Sequence, residues 1–121
     1  MNFTNKTILI TGGAGFIGSN LAFYFQNHYP DAKIVIFDLF RSGETFENGN
    51  LKSFGHFKNL MGFTGEILCG DLNDPSIWEQ FRSYKFDYIF HQAAISDTTV
   101  YDQNIMIKTN LNTFKNFIDL I

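Results

Sequence analysis

The sequence predicts an α/β fold: a doubly wound parallel sheet of strand order 3-2-1-4, with helices on both faces. Three observations carry this. Short β-rich runs alternate with helical patterns along the chain. The runs are continuously apolar rather than alternating, as in strands buried on both faces. A glycine cluster follows the first run directly and opens the first helix.

The elements follow in order. Thr7-Ile8-Leu9-Ile10-Thr11 reads as a buried strand. Phe16 to His28 reads as a helix, with Phe16, Ile17, Leu21, Phe23 and Phe25 at near-helical spacings. Tyr29-Pro30-Asp31 ends it. Lys33-Ile34-Val35-Ile36-Phe37-Asp38 is a second apolar strand, closing on an acid. Residues 40–65 are punctuated by Gly43, Gly49, Gly55, Gly62 and Gly65, with a short helix expected near 51–61. Glu66-Ile67-Leu68-Cys69-Gly70 reads as the third strand. Asn73 or Asp74, with Pro75, starts a helix that runs to about Phe81. Phe86-Asp87-Tyr88-Ile89-Phe90-His91 is the fourth strand. Residues 104–121 form a last helix, with Ile107, Leu111, Phe114, Phe117, Ile118 and Ile121 at helical spacing. It stops without a Gly, Asn or basic cap, and a doubly wound sheet continues beyond four strands. The 121 residues are therefore expected to be the N-terminal portion of a larger domain, truncated before the later strands.

Composition narrows the function classes. Nine basic against 12 acidic residues give a net charge of -3, without the basic stripe of a nucleic-acid binder. Charged residues make up only 17% and 15 residues are Phe, which argues against disorder and for heavy apolar burial or a partner surface. The single cysteine, Cys69, excludes an internal disulfide framework and a Cys-rich zinc site. No run approaches the ~18 apolar residues of a membrane span, and residues 1–6 lead into too short an apolar stretch for a signal peptide. No membrane partner and a cytoplasmic location are expected. His28 and His56 have no Cys, Asp or Glu at ligand spacing, so no metal site is expected.

The strongest chemical signal is Thr11-Gly12-Gly13-Ala14-Gly15-Phe16-Ile17-Gly18. It holds G-x-G-x-x-G at Gly13, Gly15 and Gly18, and G-x-x-G-x-x-G at Gly12, Gly15 and Gly18. A glycine allows the tight turn, one lacking Cβ lets backbone approach a pyrophosphate, and the last lets the helix pack closely. The helix N-terminus adds free N–H donors. Asp38 ends the second strand about 20 residues on, where an acid accepts from adenosine ribose hydroxyls. Arg41 could instead pair with a ribose 2′-phosphate. Asp38 thus favours NAD and Arg41 favours NADP.

Gly70-Asp71-Leu72 follows the third strand, beside the expected adenine pocket. Asp71 could accept from the adenine amino group while Leu72 packs on the ring. Gln92-Ala93-Ala94 follows the fourth strand, where small residues let a ligand lie against backbone. His91 reads as a packed histidine rather than a general base. Ser96, Asp97, Thr98 and Thr99 face either substrate or solvent. Asn110 is a candidate buried hydrogen-bonding residue.

Taken together, residues 11–18, Asp38, Gly70-Asp71-Leu72 and His91-Gln92-Ala93-Ala94 resemble the extended short-chain dehydrogenase/reductase family, over essentially the whole chain as that family's N-terminal third. Phe90-His91-Gln92-Ala93-Ala94-Ile95-Ser96-Asp97-Thr98-Thr99, with Asp102 and Asn110, is most similar to its ADP-glycero-manno-heptose 6-epimerase branch. The resemblance implies a Rossmann fold and a nucleotide-sugar epimerase of lipopolysaccharide precursor synthesis. Such enzymes pass a hydride transiently to NADP, or alternatively NAD. It assigns Gly12, Gly15, Phe16, Ile17 and Gly18 to the pyrophosphate side and Asp38, Leu39 and Arg41 to the adenosine ribose. Asp71 and Leu72 go to the adenine. Gln92, Ala93, Ala94 and Ser96 go to the nicotinamide side, with Asn110 in support. The family's catalytic Ser/Thr and Tyr-x-x-x-Lys would lie beyond residue 121, so no catalytic residue is expected here and the 121 residues alone should be inactive. The nucleotide-sugar substrate would bind through that later part, and the parent would be a homo-oligomer. Tyr29-Pro30-Asp31-Ala32-Lys33 matches the Tyr-x-x-x-Lys spacing by chance, at the wrong end of the strands. Two alternatives stay open: another epimerase, dehydratase or reductase of the family, or a non-catalytic dinucleotide-binding module.

Overall fold

The computed structural model describes residues 2–40, 44–53, 55–93, 104 and 107–120. Four strands form one parallel sheet: β1 (Thr7–Thr11), β2 (Lys33–Asp38), β3 (Glu66–Cys69) and β4 (Tyr88–His91). Their spatial order is β3-β2-β1-β4, as the sequence predicts. The register pairs Thr11 with Phe37 on one side and with His91 on the other, so these residues end level at the carboxyl edge.

The two central strands explain their own composition. In β1 and β2, side chains alternate between two cores because successive residues point to opposite faces. Ile8, Ile10, Ile34 and Ile36 join Ala22 and Phe25 of helix α1 (Phe16–His28). Leu9, Val35 and Phe37 join Ile77, Trp78 and Phe81 of helix α2 (Pro75–Arg82) and Phe117 of helix α3 (Thr113–Leu120). Helices therefore cover both faces, and neither strand shows polar alternation. Phe3 seals the first core, with its ring 4.8 Å from Phe25 and 4.9 Å from Tyr88.

Asp74 is the residue that caps α2: its side chain accepts the Ser76 N–H at 3.0 Å, and Pro75 opens the helix. Asp87 precedes β4 rather than joining it. Its carboxylate accepts the Thr7 N–H at 2.8 Å, while its own N–H donates to the Thr7 carbonyl at 2.8 Å.

Three expectations need correction. The buried face of α1 is Gly18, Ser19, Ala22 and Phe25, whereas Phe16 and Ile17 are 82% and 66% exposed. Small residues are needed where the helix crosses close to the sheet. The helix expected near 51–61 is a single 3-10 turn, Phe57–Leu60, preceded by an isolated antiparallel bridge between Thr45 and Leu51. The last helix is not uniformly α-helical. Ile107–Asn112 form a π-helical turn that leads into α3.

Candidate functional site

The glycine loop leaves β1 at the carboxyl edge of the sheet, between β2 and β4. Gly12 turns the chain at φ +68°, a left-handed conformation that glycine adopts without strain. Its N–H donates to the Phe37 carbonyl at 2.7 Å, and a Cβ on it would press on the Gln92–Ala93 backbone at 3.0 Å. Gly18 meets the loop from the helix side; a Cβ there would overlap the Gly12 carbonyl. Gly15 differs. A Cβ on it would touch only the Gly12 carbonyl, at 3.3 Å, so its outer side is open.

Gly15 is also the N-cap of α1, and no side chain caps that helix end. The first-turn N–H groups of Phe16, Ile17 and Gly18 cannot bond within the helix. An uncapped N-terminus beside an open glycine offers donors and a positive dipole end to an anion. The backbone thus fits a pyrophosphate.

Asp38 is buried, 5% exposed. Its Oδ2 accepts the Ala14 N–H at 2.9 Å and its Oδ1 accepts the Phe40 N–H at 2.8 Å. Leu39 follows, half-buried, with its carbonyl 3.8 Å from the exposed Cys69 thiol. Asp71 is exposed, and its carboxylate accepts the Asn73 N–H at 2.9 Å. Leu72 is buried in the core on the α2 face, where its carbonyl accepts the Trp78 indole N–H at 2.9 Å. Little of its side chain is left for a ligand.

At the end of β4, Gln92 is exposed and donates its N–H to the Thr11 carbonyl at 3.1 Å. The Ala93 N–H donates to Thr11 Oγ1 at 3.1 Å. The same hydroxyl lies 2.7 Å from His91 Nδ1, and the His91 ring stands 4.7 Å from Phe117. Burial pushes the His91 imidazole below its ordinary value of 6.5. His91 is thus packed. Asn110 is half-buried in the π-helical turn. Arg41, Ala94 and Ser96, with Asp97, Thr98 and Thr99, lie outside the described residues.

The structure brings Gly12, Gly15, Gly18, Asp38 and Ala93 around one loop. It adds two residues to which the sequence reading gives no role. Thr11, fully buried, ties the ends of β1 and β4 together. Asn59 donates its side-chain amide to the Ala14 carbonyl at 2.9 Å, across 45 residues of chain. Its position in a glycine-punctuated loop carried no signal of that contact. Tyr29 packs on Phe3 and Phe25, and Lys33 pairs with Glu66 at 3.6 Å, both away from the glycine loop. Among the described residues, no group of three or more His, Cys, Asp or Glu is placed to hold a metal, and no helix is long and apolar enough to cross a membrane.

A parallel sheet of order 3-2-1-4, wound on both faces with a glycine turn at its carboxyl edge, defines a Rossmann-type α/β protein. The profile of the NAD dependent epimerase/dehydratase family matches residues 8–121, and the chain belongs to that family. It is 34% identical over 115 residues to an ADP-L-glycero-D-manno-heptose-6-epimerase of Brachyspira hyodysenteriae, covering 93% of this chain and 32% of the relative. The crystal structure of Helicobacter pylori ADP-L-glycero-D-manno-heptose-6-epimerase superposes with a TM-score of 0.85 at 50% identity, covering 98% of this chain and 36% of that one. The Bordetella bronchiseptica enzyme WbmG, solved in complex with NAD and UDP, gives a TM-score of 0.72 at 27% identity, over 93% of this chain and 32% of that one. The chain spans about a third of the length of these relatives.

Proposed function

We propose that residues 1–121 are the N-terminal portion of the NAD(P)-binding domain of a nucleotide-sugar epimerase acting on an ADP-linked glycero-manno-heptose. The observation that carries this is the open Gly15 and uncapped α1 N-terminus at the β1/β4 switch point. The 50% identity to the Helicobacter pylori enzyme supports the heptose assignment. On this reading Gly12, Gly15, Phe16, Ile17 and Gly18 hold the pyrophosphate. Asp38, Leu39 and Arg41 stand on the adenosine ribose side, and Asp71 and Leu72 on the adenine side. Gln92, Ala93, Ala94, Ser96 and Asn110 border the nicotinamide.

The cofactor is NADP, which when bound accepts a hydride from the sugar and returns it to the opposite face. The chain's own residues would bind and orient it, and Ala93 and Ala94, with only methyl side chains, would let the nicotinamide lie against backbone. NAD is the second reading, favoured by its presence in the WbmG complex. Without a Tyr-x-x-x-Lys at the nicotinamide face, the 121 residues alone turn over no substrate. The role fits lipopolysaccharide precursor synthesis in the cytoplasm by a homo-oligomer of the intact protein.

The test is calorimetric titration of the intact protein with NADP and NAD, followed by an epimerisation assay on ADP-heptose. Tighter binding of NADP and epimer interconversion are expected. Binding of neither dinucleotide would remove the reading, and binding without epimerisation would move the protein to another substrate of the family.

A further inference from the structure

The peptide that joins Ala14 to Gly15, at the centre of the glycine loop, is held at both ends. The Gly15 N–H donates to the Gly12 carbonyl at 3.1 Å, within the loop. The Ala14 carbonyl is held from outside it, accepting the His56 N–H at 3.2 Å and the Asn59 side-chain amide at 2.9 Å. This carbonyl stands one residue before the N-cap of α1, whose own carbonyl accepts the Ser19 N–H at 3.0 Å. It is therefore an acceptor beside the first-turn donors that α1 cannot bond internally. Left free, it would set a partial negative charge next to an anion drawn to those donors. Two N–H groups answer that charge and fix its direction.

The residue that supplies the second donor is itself anchored. Asn59 lies half-buried in the 3-10 turn Phe57–Leu60. His56 closes the start of that turn: its Nδ1 accepts the Lys58 N–H at 3.0 Å, and its carbonyl accepts the Asn59 N–H at 3.0 Å. Leu60, next in sequence, is buried in the core with Ile8, Ile10, Ile34 and Ile36. The Phe57 ring stacks on Phe40 at 4.0 Å and 11°. Past the turn, Gln26 of α1 donates to the Gly62 carbonyl at 3.0 Å and accepts the Thr64 N–H at 2.8 Å. Before it, Gly55 lies against the Asp38 carboxylate, where a Cβ would overlap it. Asp38 takes the Ala14 N–H and keeps further acceptor positions for the ribose side.

We propose that Asn59 is a positioning residue for the dinucleotide: its side-chain amide latches the Ala14 carbonyl to the β2–β3 connection and so sets the glycine loop in its anion-binding form before the ligand arrives. This rests on the reading that the glycine loop takes a dinucleotide. A loop fixed beforehand loses less conformational freedom on binding. The latch acts on the pyrophosphate side, which NAD and NADP share, so it serves both equally. Discrimination between them stays with the ribose side.

The experiment titrates the intact protein with NAD and with NADP, comparing wild type, Asn59→Ala and Asn59→Leu, with near-UV circular dichroism confirming the fold. Neither variant changes the charge, and Leu keeps nearly the volume of Asn without its donor. Both should weaken both dinucleotides by about three- to tenfold and keep their ratio within about twofold. Amide exchange at Gly15 should speed up in both variants while the β1 and β2 amides keep their protection, a local change that general destabilisation would not give. Wild-type affinity in Asn59→Leu would mean that the side chain only fills space, and would overturn the proposal. A loss confined to one dinucleotide would place Asn59 on the ribose side and overturn it too. If neither variant folds, the wild type decides: its Gly15 amide should exchange slowly before any dinucleotide is added, and protection that arises only with NADP would show that no latch is set beforehand. Failure of the wild type to bind either dinucleotide is a separate result, and it removes the underlying reading instead.

Discussion

At the scale of single residues, the carboxyl edge of the sheet is organised by buried polar side chains. Thr11 lies between two strand ends. Its hydroxyl accepts the Ala93 N–H at 3.1 Å and is hydrogen-bonded to His91 Nδ1 at 2.7 Å. A charge on this half-buried imidazole, whose ring stands 4.7 Å from Phe117, would be poorly solvated. Burial accordingly lowers the His91 pKa from 6.5. The sign of the linkage follows. Below the unfolded value the unfolded chain binds the proton first, so stability is present above pH about 6.5 and is lost as pH falls towards the folded pKa. Urea denaturation at pH about 7.5 and about 5 should show this loss in the wild type. His91→Gln should remove part of it, leaving only the slope from carboxylates. An identical pH dependence in the two proteins would exclude His91 as a source.

At the scale of elements, the strands were legible because two-sided burial leaves a mark in every position. Ile8 to Ile10 and Ile34 to Phe37 face one core or the other, so no polar residue interrupts them. The glycine loop was legible because turn, close approach and helix start each demand glycine at a fixed offset. What escaped depends on distant partners. Nothing local to Asn59 points to Ala14, and nothing around Asp38 shows that Gly55 will roof it. Phe16 and Ile17 keep the helical apolar pattern yet stand exposed, because the loop and not the core lies beneath that turn. Helix α3 is a related case: periodicity identified it, but the π-helical turn before it changes which residues face inward. Of its apolar positions Phe117 is the one buried among the described residues, at 3% exposure, against Trp78 at 4.7 Å and Phe81 at 6.2 Å. Phe117→Ala should therefore cost about 3–5 kcal/mol, read as a fall in the urea midpoint at unchanged slope. A cost below about 1 kcal/mol would show that α3 is not docked by this ring.

At the scale of the molecule, the sheet is wound on both faces but its apolar surface is not all used internally. Leu111, Phe114 and Ile118 are 61%, 51% and 57% exposed, with Phe114 and Ile118 on α3 and Leu111 in the turn before it. Spaced three and four residues apart, they form an exposed strip that flanks the buried Phe117. Side chains of this size in water carry an unfavourable hydration term that any apolar contact relieves, at roughly 25 cal/mol per Å². In the relatives, about two thirds of the protein lies outside the matched segment. The 121 residues by themselves should relieve it by association. Sedimentation velocity across a concentration series should show the weight-average mass rising for the 121-residue protein. It should stay at 13.9 kDa, the monomer mass, for a variant carrying Leu111→Gln, Phe114→Gln and Ile118→Gln. Since the three side chains are exposed, the triple variant should keep the wild-type urea midpoint within about 0.5 kcal/mol per substitution. Association that persists unchanged in the variant would move the sticky surface elsewhere, to the exposed Phe16, Ile17, Phe57 and Met61, which can be replaced in the same way.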